Sequence, residues 1–102
     1  MNTRAKFYIG QIVQHRRFGY RGVVADVDPE FRGSDSWYES VARTRPARNQ
    51  PWYRVMVDGA EQETYVAEHH LEPDMQAQPV SNPSVLQYFS TYEDGRYRLT
   101  TH

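Results

Sequence analysis

Arg16, Arg17 and Arg21 flank Phe18 and Tyr20 within six residues of one another. Arginine brings a planar, permanently charged fork, and an aromatic ring brings a face for stacking. Together they could neutralise phosphates and stack on bases. They equally suit an acidic protein surface, where Tyr and Arg act as anchors. The third reading is a solvated hairpin tip whose Phe18 packs inward. A second group follows in Trp37, Tyr38, Arg43, Arg45 and Arg48, with Phe31 just before it. These residue types are enriched at binding hot spots, and loops held by a rigid scaffold often carry function. The candidate contacts are therefore Arg16, Arg17, Tyr20, Arg21, Trp37, Tyr38, Arg43, Arg45 and Arg48. Residues 31–50 are the expected self-association or protease contact, separable from the core.

Other groups are poorer candidates for chemistry. Asp26 and Asp28 would share one face of a strand, as an acid–base or cation-holding pair must. No third acidic residue lies close by, and Asp28-Pro29 is a common turn opener, so a structural role is expected. His69 and His70 are adjacent and should diverge, and His15 stands alone in a strand. The serines sit in turn or cap contexts without a G-x-S-x-G motif. Gly19-Tyr20-Arg21-Gly22 lacks the Lys and the spacing of a phosphate-cradling loop. With no cysteine, thiolate metal sites, disulfides and cysteine nucleophiles are excluded. The expectation is a protein that is not an enzyme and needs no metal or cofactor.

Bulk properties narrow the class further. A chain of 102 residues supports one domain with a modest core. No 18-residue apolar run is present, and the N-terminus lacks a signal-peptide core, so a soluble cytoplasmic protein is expected. Residues 1–54 hold ten Arg or Lys against five Asp or Glu; residues 55–102 hold two against eight. The net charge is −1. An isoelectric point near 6.4 disfavours general affinity for duplex DNA, which comes mainly from phosphate neutralisation.

Positioning these residues requires short strands. Gly19 and Gly22 punctuate a turn leading into Val23, Val24 and Val27, whose β-branched side chains suit a pleated surface. Asp28-Pro29 ends that strand. Residues 12–16 are expected to pair with 22–28 across the turn. Trp52, Tyr53, Val55 and Val57 form a further strand, paired with 62–67 through the Asp58-Gly59 turn. Trp52 should be buried beside Val24 and Val55, and Gly22 should have positive φ or a close backbone neighbour. Residues 36–43 read as a short helix capped by Asp35 or Ser36, and Trp37 should be partly exposed. One helical turn is expected at 67–72. Residues 73–83 read as a linker. Residues 84–102 read as a docking segment: a short helix after Ser84, then an irregular tail held by Tyr97 and Leu99, with a hairpin as the alternative. The fold expected is mostly β, a small antiparallel barrel over 6–72 with a helical insertion at 30–50. Its structural positions are Gly19, Gly22, Asp28, Pro29, Trp52 and Tyr65.

Four segments in order carry a resemblance. They are Ile9-Gly10-Gln11 with Val13 and His15; Gly19-Tyr20 with Gly22-Val23-Val24, Asp26 and Asp28-Pro29; Pro51-Trp52-Tyr53 with Val55; and Tyr65-Val66-Ala67-Glu68 with Leu71. From about Lys6 to Glu72 the chain resembles the HspQ family, also called the YccV-like or hemimethylated-DNA-binding domain. The resemblance implies an SH3-like barrel and self-association, as a trimer. It implies a heat-shock-linked specificity factor of Lon protease that promotes turnover of certain substrates, including the denatured replication initiator. The family's other name implies a regulator that binds hemimethylated origin duplex DNA.

Overall fold

The computed structural model describes residues 4–41 and 44–99. Arg43 therefore lies outside the described residues. Among the described residues, seven antiparallel strands and two short helices make the protein mostly β. β1 (Ile12–His15) and β2 (Arg21–Asp28) form the first hairpin, with Val13 opposite Gly22. β3 (Trp52–Val57) and β4 (Glu63–Ala67) form the second. A 3₁₀ turn at Glu68–His70 then leads into β5 (Leu71–Pro73). The sheet order is β4-β3-β2-β1-β5. β4 and β5 are its two edges and do not pair, so the expected barrel is an open sheet. The 3₁₀ turn carries the chain between those edges without the extended backbone that a closing ladder needs.

Each turn shows why its residues are there. Gly19 has φ +77°, the left-handed region that lacks steric cost only for glycine. Gly22 has no such backbone; it is needed for close approach. A Cβ at Gly22 would strike the Met56 carbonyl and lie 2.6 Å from Val55 Cγ1. Between Val24 and Asp26 the β2–β3 register shifts by one residue, leaving Ala25 as a bulge. Such a bulge increases local twist and bends the strand.

The sheet has apolar residues on both faces, as strand alternation dictates. Val13, Val24, Tyr53, Val55, Val66 and Leu71 pack on one face beneath Phe7. On the other, Ile12, Val23 and Met56 meet Val80, Val85 and Phe89 from the C-terminal segment. Residues 73–83 are extended but packed rather than a free linker. Val80 and Asn82 are buried, and Asn82 Nδ2 donates to the Val57 carbonyl at 3.0 Å. α2 (Val85–Tyr88) is a single turn, followed by a hairpin of β6 (Phe89–Glu93) and β7 (Arg96–Leu99). That hairpin replaces the expected irregular tail. Asp94 and Gly95 both have positive φ, the geometry of a two-residue hairpin turn. Tyr97 docks, its hydroxyl accepting from Val80 N–H at 2.8 Å. Leu99 remains half exposed and does not serve as the second anchor.

The insertion is the main departure from expectation. α1 (Asp35–Val41) is capped by Ser34, whose Oγ accepts from Trp37 N–H at 3.0 Å. Neither Asp35 nor Ser36 provides that bond. Tyr38 is buried, and with Trp52 and Ala67 it forms a third apolar cluster, flanked by Phe31, Trp37 and Tyr65. Trp52 is 1 % exposed, but its neighbours are these residues rather than Val24 and Val55. Residues 30–50 thus complete the core. Deleting 34–48 should abolish cooperative unfolding, because truncating contacts to a buried aromatic costs about 3–5 kcal/mol in a marginally stable domain. A deletion protein that melts cooperatively at the parent temperature would contradict this packing.

Candidate functional site

The sequence places Arg residues on two surfaces, but the fold employs most of them internally. Arg21 is ion-paired with Asp58 at 3.1 Å and Asp74 at 3.3 Å. Its guanidinium also donates to the carbonyls of Gln78 and Pro79. It clasps residues 74–79 to the β2–β3 end of the sheet. Arg16 donates from Nε to the Leu71 carbonyl at 3.1 Å, with Glu72 at 3.9 Å. Arg45 pairs with Glu39 at 2.8 Å, and Arg48 with Asp35 at 2.7 Å. Arg48 also lies 4.0 Å from the Tyr38 ring centre, so it closes the insertion over its own aromatic residue. Tyr38 donates its hydroxyl hydrogen to the Pro46 carbonyl at 2.7 Å. Being buried, it is a core residue, not a surface contact. Among the described candidate arginines, Arg17 is the one without a carboxylate partner.

Structural residues form a second network. Tyr65 donates to Asp28 at 2.6 Å and accepts from Arg32 N–H at 3.1 Å. Burial, reinforced by the Asp28 carboxylate, pushes the Tyr65 hydroxyl up to about 12. This bond ties the end of β2, just before Pro29, to β4. Asp28 thus joins two strands through its carboxylate.

The remaining aromatic residues converge on a cleft of about 420 Å³. One wall is the insertion, through Trp37 and Val41. The other is the β1–β2 hairpin tip, through His15, Phe18 and Tyr20. The floor is β4, including Thr64, Tyr65 and Val66. Tyr20 Oη bridges to Thr64 Oγ1 at 2.8 Å, fixing the hairpin against β4. Phe18 is 71 % exposed, so it does not pack inward as a core residue would. Trp37 is partly exposed, and Val41 is exposed. The cleft thus joins two segments that are separate in sequence. Arg17, Tyr20 and Trp37 come together here; Arg16, Arg21, Arg45 and Arg48 are engaged in the ion pairs above.

His15, expected to stand alone in a strand, organises the hairpin wall. It is 6 % exposed. Its Nδ1 accepts from Arg17 N–H and Phe18 N–H, both at 3.1 Å. The ring is therefore neutral, with its proton on Nε2. It stacks on Phe18 at 4.7 Å and Tyr20 at 5.1 Å, and faces His70 at 5.4 Å. The signal in the sequence was His two and three residues before the turn amides. His69 and His70 do not diverge: their ring centres are 4.0 Å apart. Their nitrogens nonetheless serve different partners, Gln50 for His69 and Thr44 for His70.

A family model described as "Hemimethylated DNA-binding protein YccV like" matches residues 5–96. The chain belongs to this YccV-like family, and the match extends beyond the sheet into the C-terminal hairpin. The family's description is one of hemimethylated-DNA binding. Among the described residues, no helix is long and apolar enough to cross a membrane.

The His15 geometry has a pH consequence. Burial first, then His70 and Arg17, hold its imidazole below the ordinary value of about 6.5. Burial, then His69 and Arg17, lower His70 as well. The unfolded chain takes up these protons before the folded one does. Stability is thus full above about pH 6.5 and falls as pH drops from there through the depressed folded values. Melting temperature measured against pH should show this loss. His15→Asn keeps a side-chain acceptor for the turn amides but cannot titrate, so its profile should be flatter. An unchanged slope would remove His15 from the explanation.

Proposed function

We propose that the protein is a non-enzymatic adaptor that holds unfolded segments of client proteins and promotes their degradation by a Lon-type protease. The observation that carries this reading is the aromatic cleft, walled by exposed Phe18 and Val41 beside partly exposed Trp37. Exposed apolar side chains around a concavity suit an apolar peptide, since burying such surface drives association. The ion-pairing of Arg16, Arg21, Arg45 and Arg48 supports the same reading. Each would have to leave a carboxylate before it could neutralise a phosphate. Self-association, as a trimer, and a heat-shock setting belong to this proposal as expectations from the family.

One observation favours a second reading, a regulator that recognises hemimethylated duplex DNA: the description of the family to which the chain belongs. The two readings separate in one assay. A denatured client is incubated with Lon and ATP, with and without the protein, and with excess hemimethylated duplex. The adaptor reading expects faster client loss, unaffected by duplex. It also expects Phe18→Ser, a change at an exposed position, to remove most of the stimulation with little change in melting temperature. Tight duplex binding with steep salt dependence, and no effect of the protein on proteolysis, would favour the DNA reading instead.

A further inference from the structure

β4 is an edge strand, paired with β3 alone among the described strands. Its inward and outward backbone groups can be told apart. Val57 N–H donates to the Gln62 carbonyl at 3.1 Å, and Glu68 N–H donates to the Pro51 carbonyl at 2.9 Å. Hydrogen-bonding positions alternate along an antiparallel strand. Even-numbered Thr64 and Val66 therefore face β3, while the N–H and C=O groups of Glu63 and Tyr65 point away from it. Of these two residues Tyr65 lines the cleft between the insertion and the hairpin tip, as do Gln62 and Thr64 on either side of Glu63. An open edge of this kind is a template for another strand.

We propose that the cleft is a strand-addition site: an extended apolar segment of a client chain pairs with the outward edge of β4 as a sixth strand of the sheet. Successive side chains of an extended segment point to opposite sides. Here one set meets Trp37 and Val41, and the other meets His15, Phe18 and Tyr20. Both sets must be bulky and apolar, which describes a core strand of an unfolded protein rather than a surface strand with one polar face. Main-chain bonds to β4 give affinity without reading sequence, as suits an adaptor with varied clients. Arg17 stands at the hairpin rim and has no carboxylate partner among the described residues. Charge complementarity therefore favours a segment with an acidic residue beside the apolar run. The identity of the occupant rests on the adaptor reading above; the edge geometry does not.

The test uses the full chain and a blocked peptide of about nine residues, with a Val-Phe-Val-Leu-Val centre and Asp at each end. Two further peptides carry backbone N-methyl groups on alternate central residues, one on each set. A strand has one edge toward β4 and one toward solvent. One methylated peptide should therefore lose about tenfold or more in affinity, and the other should bind like the parent. Amide exchange at Glu63 and Tyr65 should slow about tenfold or more on saturation with the parent peptide. Equal affinities for the two methylated peptides, or unchanged exchange at these amides, would overturn the strand site. So would failure of the parent peptide to bind, whether sedimentation shows a second copy at the edge or only hemimethylated duplex perturbs these amides. The readings fail separately. Selective loss on one methylated peptide without stimulated proteolysis removes the adaptor and leaves the strand site; stimulated proteolysis without selective loss does the reverse.

Discussion

Burial of Trp52 beneath the insertion is the interaction on which the architecture depends. Trp52 begins β3, at the end of the sheet where β2 and β4 flank it. An indole there needs a cover, and the sheet alone does not provide one. Phe31, Tyr38 and Trp37 provide it, with ring centres 4.9, 6.5 and 6.2 Å away. The Trp52 Nε1–H donates to the Ala47 carbonyl at 3.2 Å, so its polar edge is satisfied by the same segment. Arg48 locks the arrangement by stacking on Tyr38 while pairing with Asp35. Five aromatic and cationic residues thus hold a segment that has little regular structure beyond one short helix.

Covering Trp52 also creates the cleft. The insertion must reach over the end of β3, and it comes to stand beside the free edge of β4. The hairpin tip stands on the other side, fixed by Tyr20 to Thr64 and stiffened by His15. A closed barrel would have used that edge internally. The 3₁₀ turn at Glu68–His70 leaves it unpaired while Glu68 turns inward to accept from Tyr53 Oη at 2.6 Å. Burial and this carboxylate together raise the Tyr53 hydroxyl far above its ordinary value. One turn therefore both anchors the interior and keeps the edge open.

Much of the strand plan was legible because its signals are local. Valine runs ended by Asp28-Pro29 and Asp58-Gly59 mark strand limits through backbone chemistry that the fold does not override. Gly22 was legible as a constrained position, though the reason is close approach and not positive φ. The packing of the insertion was not legible, because Trp37, Tyr38, Arg45 and Arg48 have the composition of a contact surface. Composition does not say whether an aromatic residue meets a partner or its own Trp52. The ion pairs of the arginines were hidden for a related reason: the partners Asp58, Asp74 and Glu72 lie more than thirty positions away from Arg21 and Arg16. Packing of residues 73–83 rests on Val80, Asn82 and the Arg21 clasp, which no periodicity announces. The cleft itself combines three distant segments and could be seen only once they were assembled.

The burial of Trp52 beneath the insertion is tested most directly by its environment in the Trp37→Phe protein, where it is the sole indole. Phe keeps an aromatic ring on the insertion, so the cover is retained. Steady-state emission and acrylamide quenching report whether that cover exists in solution. Blue-shifted emission and little quenching are expected of an indole that is 1 % exposed. Red-shifted emission quenched as readily as free tryptophan, in a protein that still melts cooperatively, would show that the insertion does not rest on the sheet. The wall of the cleft, and the function drawn from it, would fall with that result.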